Sequence, residues 1–167
     1  GNQDTIYTGA KFTRLYFKYC YIDGTTDFIF GPSTALFENC MIHSKRNSYV
    51  TAASTPKEAK YGYVFKHCKL TAEPGVDKVY LGRPWRPYAY TLFIECELGK
   101  HIVPAGWHNW GKQSNEETAR YMEYKNTGEG ANVSERVAWS KQLTKKEAEA
   151  VTVDAIFGTQ SNWNPID

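Results

Sequence analysis

The chain has no uninterrupted run of about 18 apolar residues, so nothing in it reads as a membrane-spanning helix. No secretory signal peptide stands at its N-terminal end. It also lacks a dominant charge: 20 Lys and Arg face 18 Asp and Glu, a net charge of +2. So close a balance leaves no broad field for nucleic acid or an acidic membrane surface, and any charged ligand must be held by local residues. No CxxC pair occurs among the four cysteines, which argues against a zinc knuckle. GxSxG, P-loop, GxGxxG and HExxH patterns are all missing, and the commonest hydrolase, nucleotide-binding and metalloprotease signatures go with them. The histidines, His43, His67, His101 and His108, show no metal-ligand spacing and read as surface or loop residues.

What the chain does have is aromatic mass: 12 Tyr, 8 Phe and 5 Trp in 167 residues supply enough apolar area for one core, and we read residues 1–167 as a single domain. Its cysteines recur in one frame, Phe17-Cys20-Ile22, Phe37-Cys40-Ile42, Phe65-Cys68-Leu70 and Phe93-Cys96-Leu98. Their intervals are 40 − 20 = 20, 68 − 40 = 28 and 96 − 68 = 28. One short β-prone run in each such interval is the pattern of a solenoid of parallel strands, in which each coil buries its face only by stacking on its neighbours. Cys and the aliphatic residue two positions later share one side of a strand and face inward. The intervening pairs, such as Lys18-Tyr19 and Lys66-His67, are mostly polar and mark a corner between two faces of the coil. The cysteines are expected as a reduced inner ladder, with a disulfide between neighbouring rungs as the lesser alternative.

Helix signals are weak until Thr144-Lys145-Lys146-Glu147, a capping box that opens one short helix through Val151. The aromatic stretch with Trp107, Trp110, Tyr121, Tyr124 and Trp139 is expected to form a last coil and irregular segments covering the end of the solenoid. The tail Asn162-Trp163-Asn164-Pro165 is expected to dock by its Trp.

Three segments could carry chemistry. In Gly24-Thr25-Thr26-Asp27-Phe28-Ile29-Phe30-Gly31 an acid sits inside an apolar run between glycines; the plainer alternative is a turn aspartate entering a strand. Asp4 precedes Asp27 by an interval of 27 − 4 = 23, about one turn of the solenoid. Adjacent coils lie about 4.8 Å apart, close enough for one carboxylate to raise the pKa of the other and leave an acid beside a base. Such a pair suits acid/base or nucleophilic catalysis. The third segment, Tyr80-Leu81-Gly82-Arg83-Pro84-Trp85, sets a guanidinium that can orient a carboxylate beside an indole that can stack on a sugar ring. A structural Arg and a core Trp are the alternatives for this pair.

These segments resemble the pectin methylesterase family, in order along the chain. GTTDFIFG is similar to the family's GTVDFIFG with Thr26 for Val, LGRPW matches at Leu81 through Trp85, and Gln3-Asp4-Thr5-Ile6 is similar to QDTL. The likeness continues through Ala105–Trp110, Glu123–Gly128, Arg136–Trp139 and Trp163, and so covers nearly the whole chain. It implies an all-β fold, a single-stranded right-handed parallel β-helix with a short C-terminal helix and irregular covering segments. It also implies a carboxylic ester hydrolase that removes methyl esters from polygalacturonate (pectin).

Carried over residue by residue, Asp27 becomes the nucleophile and Asp4 the acid and later the base. Gln3 becomes an oxyanion donor and Arg83 the group that keeps Asp27 ionised. Trp85 becomes the sugar platform, with Phe30 as a wall of the groove. No metal and no organic cofactor is implied. The partner is methyl-esterified polygalacturonan, the protein a monomer, the location secreted or periplasmic.

Two departures from the family stand out. A second oxyanion glutamine, from an earlier motif, is missing, and the chain is expected to be truncated at its N-terminal coils and weakly active or inactive by itself. The interval from Asp4 to Asp27 is slightly long, with the extra residues placed near Thr8-Gly9-Ala10-Lys11. A polysaccharide-cleaving β-helix and a non-catalytic carbohydrate-binding β-helix are the competing readings.

Overall fold

The computed structural model describes residues 1–158 and Pro165. The expected docking of Trp163 falls outside them. The chain winds as a right-handed parallel β-helix. Its first coil is β1 (Ile6–Tyr7), β2 (Arg14–Lys18) and β3 (Tyr21–Gly24), and the second is β4 (Ile29–Gly31), β5 (Thr34–Glu38) and β6 (Met41–Ser44). The third is β7 (Tyr49–Ala53), β8 (Tyr63–Lys66) and β9 (Lys69–Ala72), and the fourth β10 (Tyr80–Gly82), β11 (Tyr90–Ile94) and β12 (Glu97–Leu98). A fifth coil runs through the short helix α1 (Ser114–Thr118) and β13 (Arg120–Tyr124), with single bridges to the fourth at Val79–Ile102, Gly82–Trp107 and Glu97–Thr127; β14 (Lys141–Gln142) adds one more rung.

Strands stack into three parallel sheets, β1-β4-β7-β10, β2-β5-β8-β11-β13-β14 and β3-β6-β9-β12. Rungs of the second sheet recur at the cysteine intervals, with Arg14 paired to Thr34, Ala35 to Tyr63 and Tyr63 to Thr91. The cysteine spacing is therefore the coil length. Phe17, Phe37, Phe65 and Phe93 stack face to face at centroid distances of 4.7, 4.5 and 4.4 Å. Each fully buried ring contributes roughly 1.5–3 kcal/mol of apolar transfer. Cys40, Cys68 and Cys96 are buried beside them as free thiols, and each donates to the carbonyl of the phenylalanine one coil back, at 3.4, 3.3 and 3.5 Å.

The corner between the second and third sheets is made by Tyr19, Asn39, His67, Glu95 and Lys125, all left-handed with φ between 46° and 55°. That conformation costs a non-glycine residue roughly 1 kcal/mol or more. It is held by the ladder itself: the N–H of Tyr19, Asn39, His67 and Glu95 each donates to a carbonyl of the next coil, at distances from 2.8 to 3.1 Å.

The outward residues of the second sheet are apolar too. Leu36, Val64 and Leu92 alternate with the inward phenylalanines, and α2 (Lys145–Glu149) and α3 (Val153–Phe157) lead Val151, Ile156 and Phe157 onto them. Five-residue helices are not stable alone; caps and packing hold these. The capping box at Thr144 and Glu147 is formed, and Thr152 caps α3, which like α1 is a helix beyond the one expected from the sequence. The α2 and α3 helices therefore lie on the side of the solenoid. Its end is closed instead by Trp107, Tyr121 and Trp139, with Trp107 stacked on Tyr121 at 4.3 Å and Tyr121 tilted against Trp139 at 5.9 Å. No helix among the described residues is long and apolar enough to cross a membrane.

Candidate active site

The first sheet carries the polar cluster on its outer face. Gln3 bridges Thr26 and Ile6 pairs with Ile29, so the register sets Asp4 beside Asp27 on adjacent coils. Both aspartates are left-handed, φ 56° and 50°, just ahead of β1 and β4. The Asp4 N–H donates to the Thr26 carbonyl (3.1 Å), and the Asp27 N–H to the Tyr49 carbonyl of the next coil (2.9 Å). Asp is among the residues that tolerate this conformation best. Six residues, 8–13, join β1 to β2, whereas two, 32–33, join β4 to β5.

Arg83 follows β10 and reaches back over β7 to Asp27. Its Nε donates to Oδ1 at 3.0 Å and its Nη2 to Oδ2 at 2.7 Å, a two-armed pair. The guanidinium lies between two rings, its carbon 4.0 Å from the Tyr49 centroid and 3.8 Å from that of Trp110. Glycine is required just before it: a Cβ on Gly82 would run into the Thr51 side chain of β7. Trp110 is itself held by its backbone N–H donating to His108 Nδ1 at 3.0 Å. Burial and the Arg83 charge both lower the His108 pKa, which keeps that nitrogen free to accept.

Asp27 is 3% exposed. Burial raises its pKa, Arg83 pulls it down, and the Asp4 charge raises it further, with burial the largest effect and the net direction upward. A cavity of about 270 Å³ opens over the pair, lined by Gln3, Asp4, Asp27, Phe30, Arg83, Trp85 and Trp110. Phe30 and Trp85 form an aromatic wall, their ring centroids 5.9 Å apart. All six residues singled out in the sequence thus converge on one cavity. The site has the parts for attack by a carboxylate on a carbonyl: a buried acid aimed by Arg83, an exposed second acid and a nearby amide donor.

Two further site residues, Trp110 and Tyr49, escape the sequence reading. Trp110 is expected among the segments covering the solenoid end, but a long-range bridge, His108 N–H to the Gly82 carbonyl at 3.1 Å, carries it into the site. The reading of the histidines as surface or loop residues also needs correction. His43 sits half-buried on β6 with Nδ1 2.8 Å from the Thr71 hydroxyl, and His101, though in a turn as read, is buried, its pKa pushed down to about 4 chiefly by that burial. Among the described residues no group of three or more His, Cys, Asp or Glu converges as a metal site.

Residues 1–160 match the profile of the family described as Pectinesterase. The chain is 43% identical over 149 residues to "Pectinesterase 31" of Arabidopsis thaliana, covering 89% of this chain and 46% of that protein. Among solved structures, the pectin methylesterase of Aspergillus niger superposes with a TM-score of 0.83 at 31% identity, over 95% of this chain and 51% of its own. The carrot pectin methylesterase does so with a TM-score of 0.83 at 32% identity, over 93% and 54%. The chain thus spans about half the length of these relatives.

Proposed function

Because this chain belongs to the pectinesterase family, we propose that it takes part in hydrolysing the methyl esters of polygalacturonate, with Asp27 as nucleophile and Asp4 as acid and base. The observation that carries the reading is the two-armed Arg83–Asp27 pair beside Asp4 in one cavity. A pectin methylesterase among the structural neighbours is described as bound to a hexasaccharide. That is the ligand class we assign to this cavity, with Trp85 and Phe30 as its aromatic wall.

In the proposed sequence an ionised Asp27 oxygen attacks the ester carbonyl carbon, and the carbonyl oxygen becomes an oxyanion. Gln3, whose amide can donate, faces this charge; an oxyanion donor is worth roughly 3 kcal/mol in other hydrolases. The tetrahedral centre collapses, the C–O bond to the methoxy group breaks, and Asp4 gives that oxygen its proton, releasing methanol. Asp4, now a carboxylate, takes a proton from water as the water attacks the mixed anhydride formed between Asp27 and the uronyl group. The products are a uronate and a released proton, with Asp27 again ionised and Asp4 again protonated. Burial makes the Asp27 anion poorly solvated, and Arg83 keeps it available and aimed. No step draws on a cofactor. The substrate is a cell-wall polymer, and we assign the activity to a secreted or periplasmic protein acting as one domain and one copy.

The test is product analysis on methyl-esterified pectin. Methanol release without new reducing ends or unsaturated sugars is expected, at a low rate if further oxyanion donors belong to a longer protein. New reducing ends or unsaturated products would instead identify a chain-cleaving enzyme, and binding without any product a carbohydrate-binding module.

A further inference from the structure

Arg83 is clamped on both faces, by Tyr49 and by Trp110, and both of these residues are in contact with His108. Tyr49 on β7 and Tyr80 on β10 are register partners whose rings stack at 5.3 Å. The His108 imidazole crosses both rings at steep angles, 62° and 73°, with centroid distances of 5.4 and 5.3 Å. Its own backbone N–H donates to the Gly82 carbonyl at 3.1 Å, which fixes it beside the residue that precedes Arg83.

His108 reaches Trp110 through the backbone. Trp110 is left-handed, φ 62°, a conformation that costs a bulky residue roughly 1 kcal/mol or more. Two side chains stabilise the turn that imposes it. The Trp110 N–H donates to His108 Nδ1 at 3.0 Å, and the Gly111 N–H to Asn109 Oδ1 at 2.8 Å. Asn109 also ties the turn to α1, its Nδ2 donating to Glu116 Oε1 at 2.7 Å and its carbonyl accepting from Asn115 Nδ2 at 2.9 Å. Asn109 thus anchors the turn to the scaffold, whereas His108 joins it to the ring on the other face of Arg83.

We infer that His108 is a positioning residue for the reaction: with Nδ1 accepting from Trp110 and its ring against Tyr49, it holds both sides of the clamp that keeps the Arg83 fork on Asp27. This rests on the ester-hydrolase reading above. The role requires the neutral tautomer with its proton on Nε2, because a proton on Nδ1 would meet the Trp110 N–H. It depends more on the acceptor than on the ring. Tyr49 has a second support in Tyr80, while the strained Trp110 turn draws on Nδ1.

The test is an NMR titration of protein labelled with ¹³C at the aspartate Cγ and ¹⁵N in the histidine rings. In the wild type near pH 7, His108 is expected to carry its proton on Nε2 alone; a proton on Nδ1 would overturn the role without recourse to any variant. His108→Phe keeps a ring and removes the acceptor. As the fork loosens, the Asp27 midpoint should rise by roughly 0.3–1 pH unit. His108→Asn offers Oδ1 in place of Nδ1, as Asn109 does one residue on, and should return the midpoint to within about 0.2 unit of wild type. The charges that bear on Asp27, those of Arg83 and Asp4, are untouched in both variants. The acidic limb of kcat/KM for methanol release should move in the same order. A residue that serves stability alone would lower Tm in both variants without separating their Asp27 midpoints. An unchanged midpoint in His108→Phe, or an equal rise in both variants, would therefore overturn the role. These midpoints are read without turnover, so they are independent of the ester-hydrolase reading, which falls instead if Asp27→Asn releases methanol at the wild-type rate.

Discussion

Asp4 and Asp27 occupy the same rung position on neighbouring coils, and both are left-handed at that point. The relation makes their charges interdependent: the Asp4 charge adds to burial in raising the Asp27 pKa, and Arg83 opposes both. Catalysis by ionised Asp27 should rise with pH through that raised value, and Asp4→Asn should move the acidic limb of kcat/KM toward lower pH even as it slows turnover.

Stability follows the opposite sign. A carboxyl whose folded pKa lies above its unfolded value, about 3.9 for Asp, stabilises fully below the unfolded value. That contribution is lost as pH rises through the folded pKa. Asp27→Asn, which stays neutral, should therefore gain Tm relative to wild type as pH is raised from about 3.5 to 7. Thermal melts across that range are the check; a Tm difference that shrinks with rising pH would refute the burial-dominated balance.

Arg83 holds Asp27 by two donors while two rings hold Arg83. Arg83→Gln removes the charge that counters burial, so the acidic limb should shift to higher pH and kcat fall on the order of 10²-fold or more. Arg83→Lys keeps the charge without the fork and should move the limb less. Steady-state pH profiles of both variants distinguish the charge from the geometry.

At the far end of the solenoid, Glu123 and Arg136 form a buried pair, with Nε 2.9 Å from Oε2, and Trp107 Nε1 also donates to that oxygen at 3.3 Å. Arg136 further donates to the Gly130 and Pro104 carbonyls at 2.7 and 2.9 Å. Arg136→Ala leaves a buried carboxylate unmatched and should cost about 3–5 kcal/mol in chemical denaturation. A cost below about 1 kcal/mol would mean that the end cap is held by its aromatic stack alone.

The solenoid was legible because its repeat is chemical as well as spatial. Phe and Cys recur at the coil length itself, and the corner positions between them are the left-handed residues. The acids and Arg83 were legible through motifs whose residues meet across coils. Trp110 was not: its place depends on the bridge from His108 to Gly82, which leaves no periodic trace. Burial of His101 has the same origin, in irregular chain folded over the fourth and fifth coils. The helix α3 was hidden differently. Runs such as Thr34–Glu38 and Tyr90–Ile94 are apolar on both strand faces, a pattern that calls for an outer cover, but the five residues that supply it are too few to show a helical period.

The most direct measurement of the central claim, that Asp27 carries the chemistry, is methanol release by wild type and Asp27→Asn at oligomer concentrations where both are shown to bind. Wild type is expected to release methanol and Asp27→Asn none above background, with binding retained. Turnover by Asp27→Asn at a rate comparable to wild type would contradict the account.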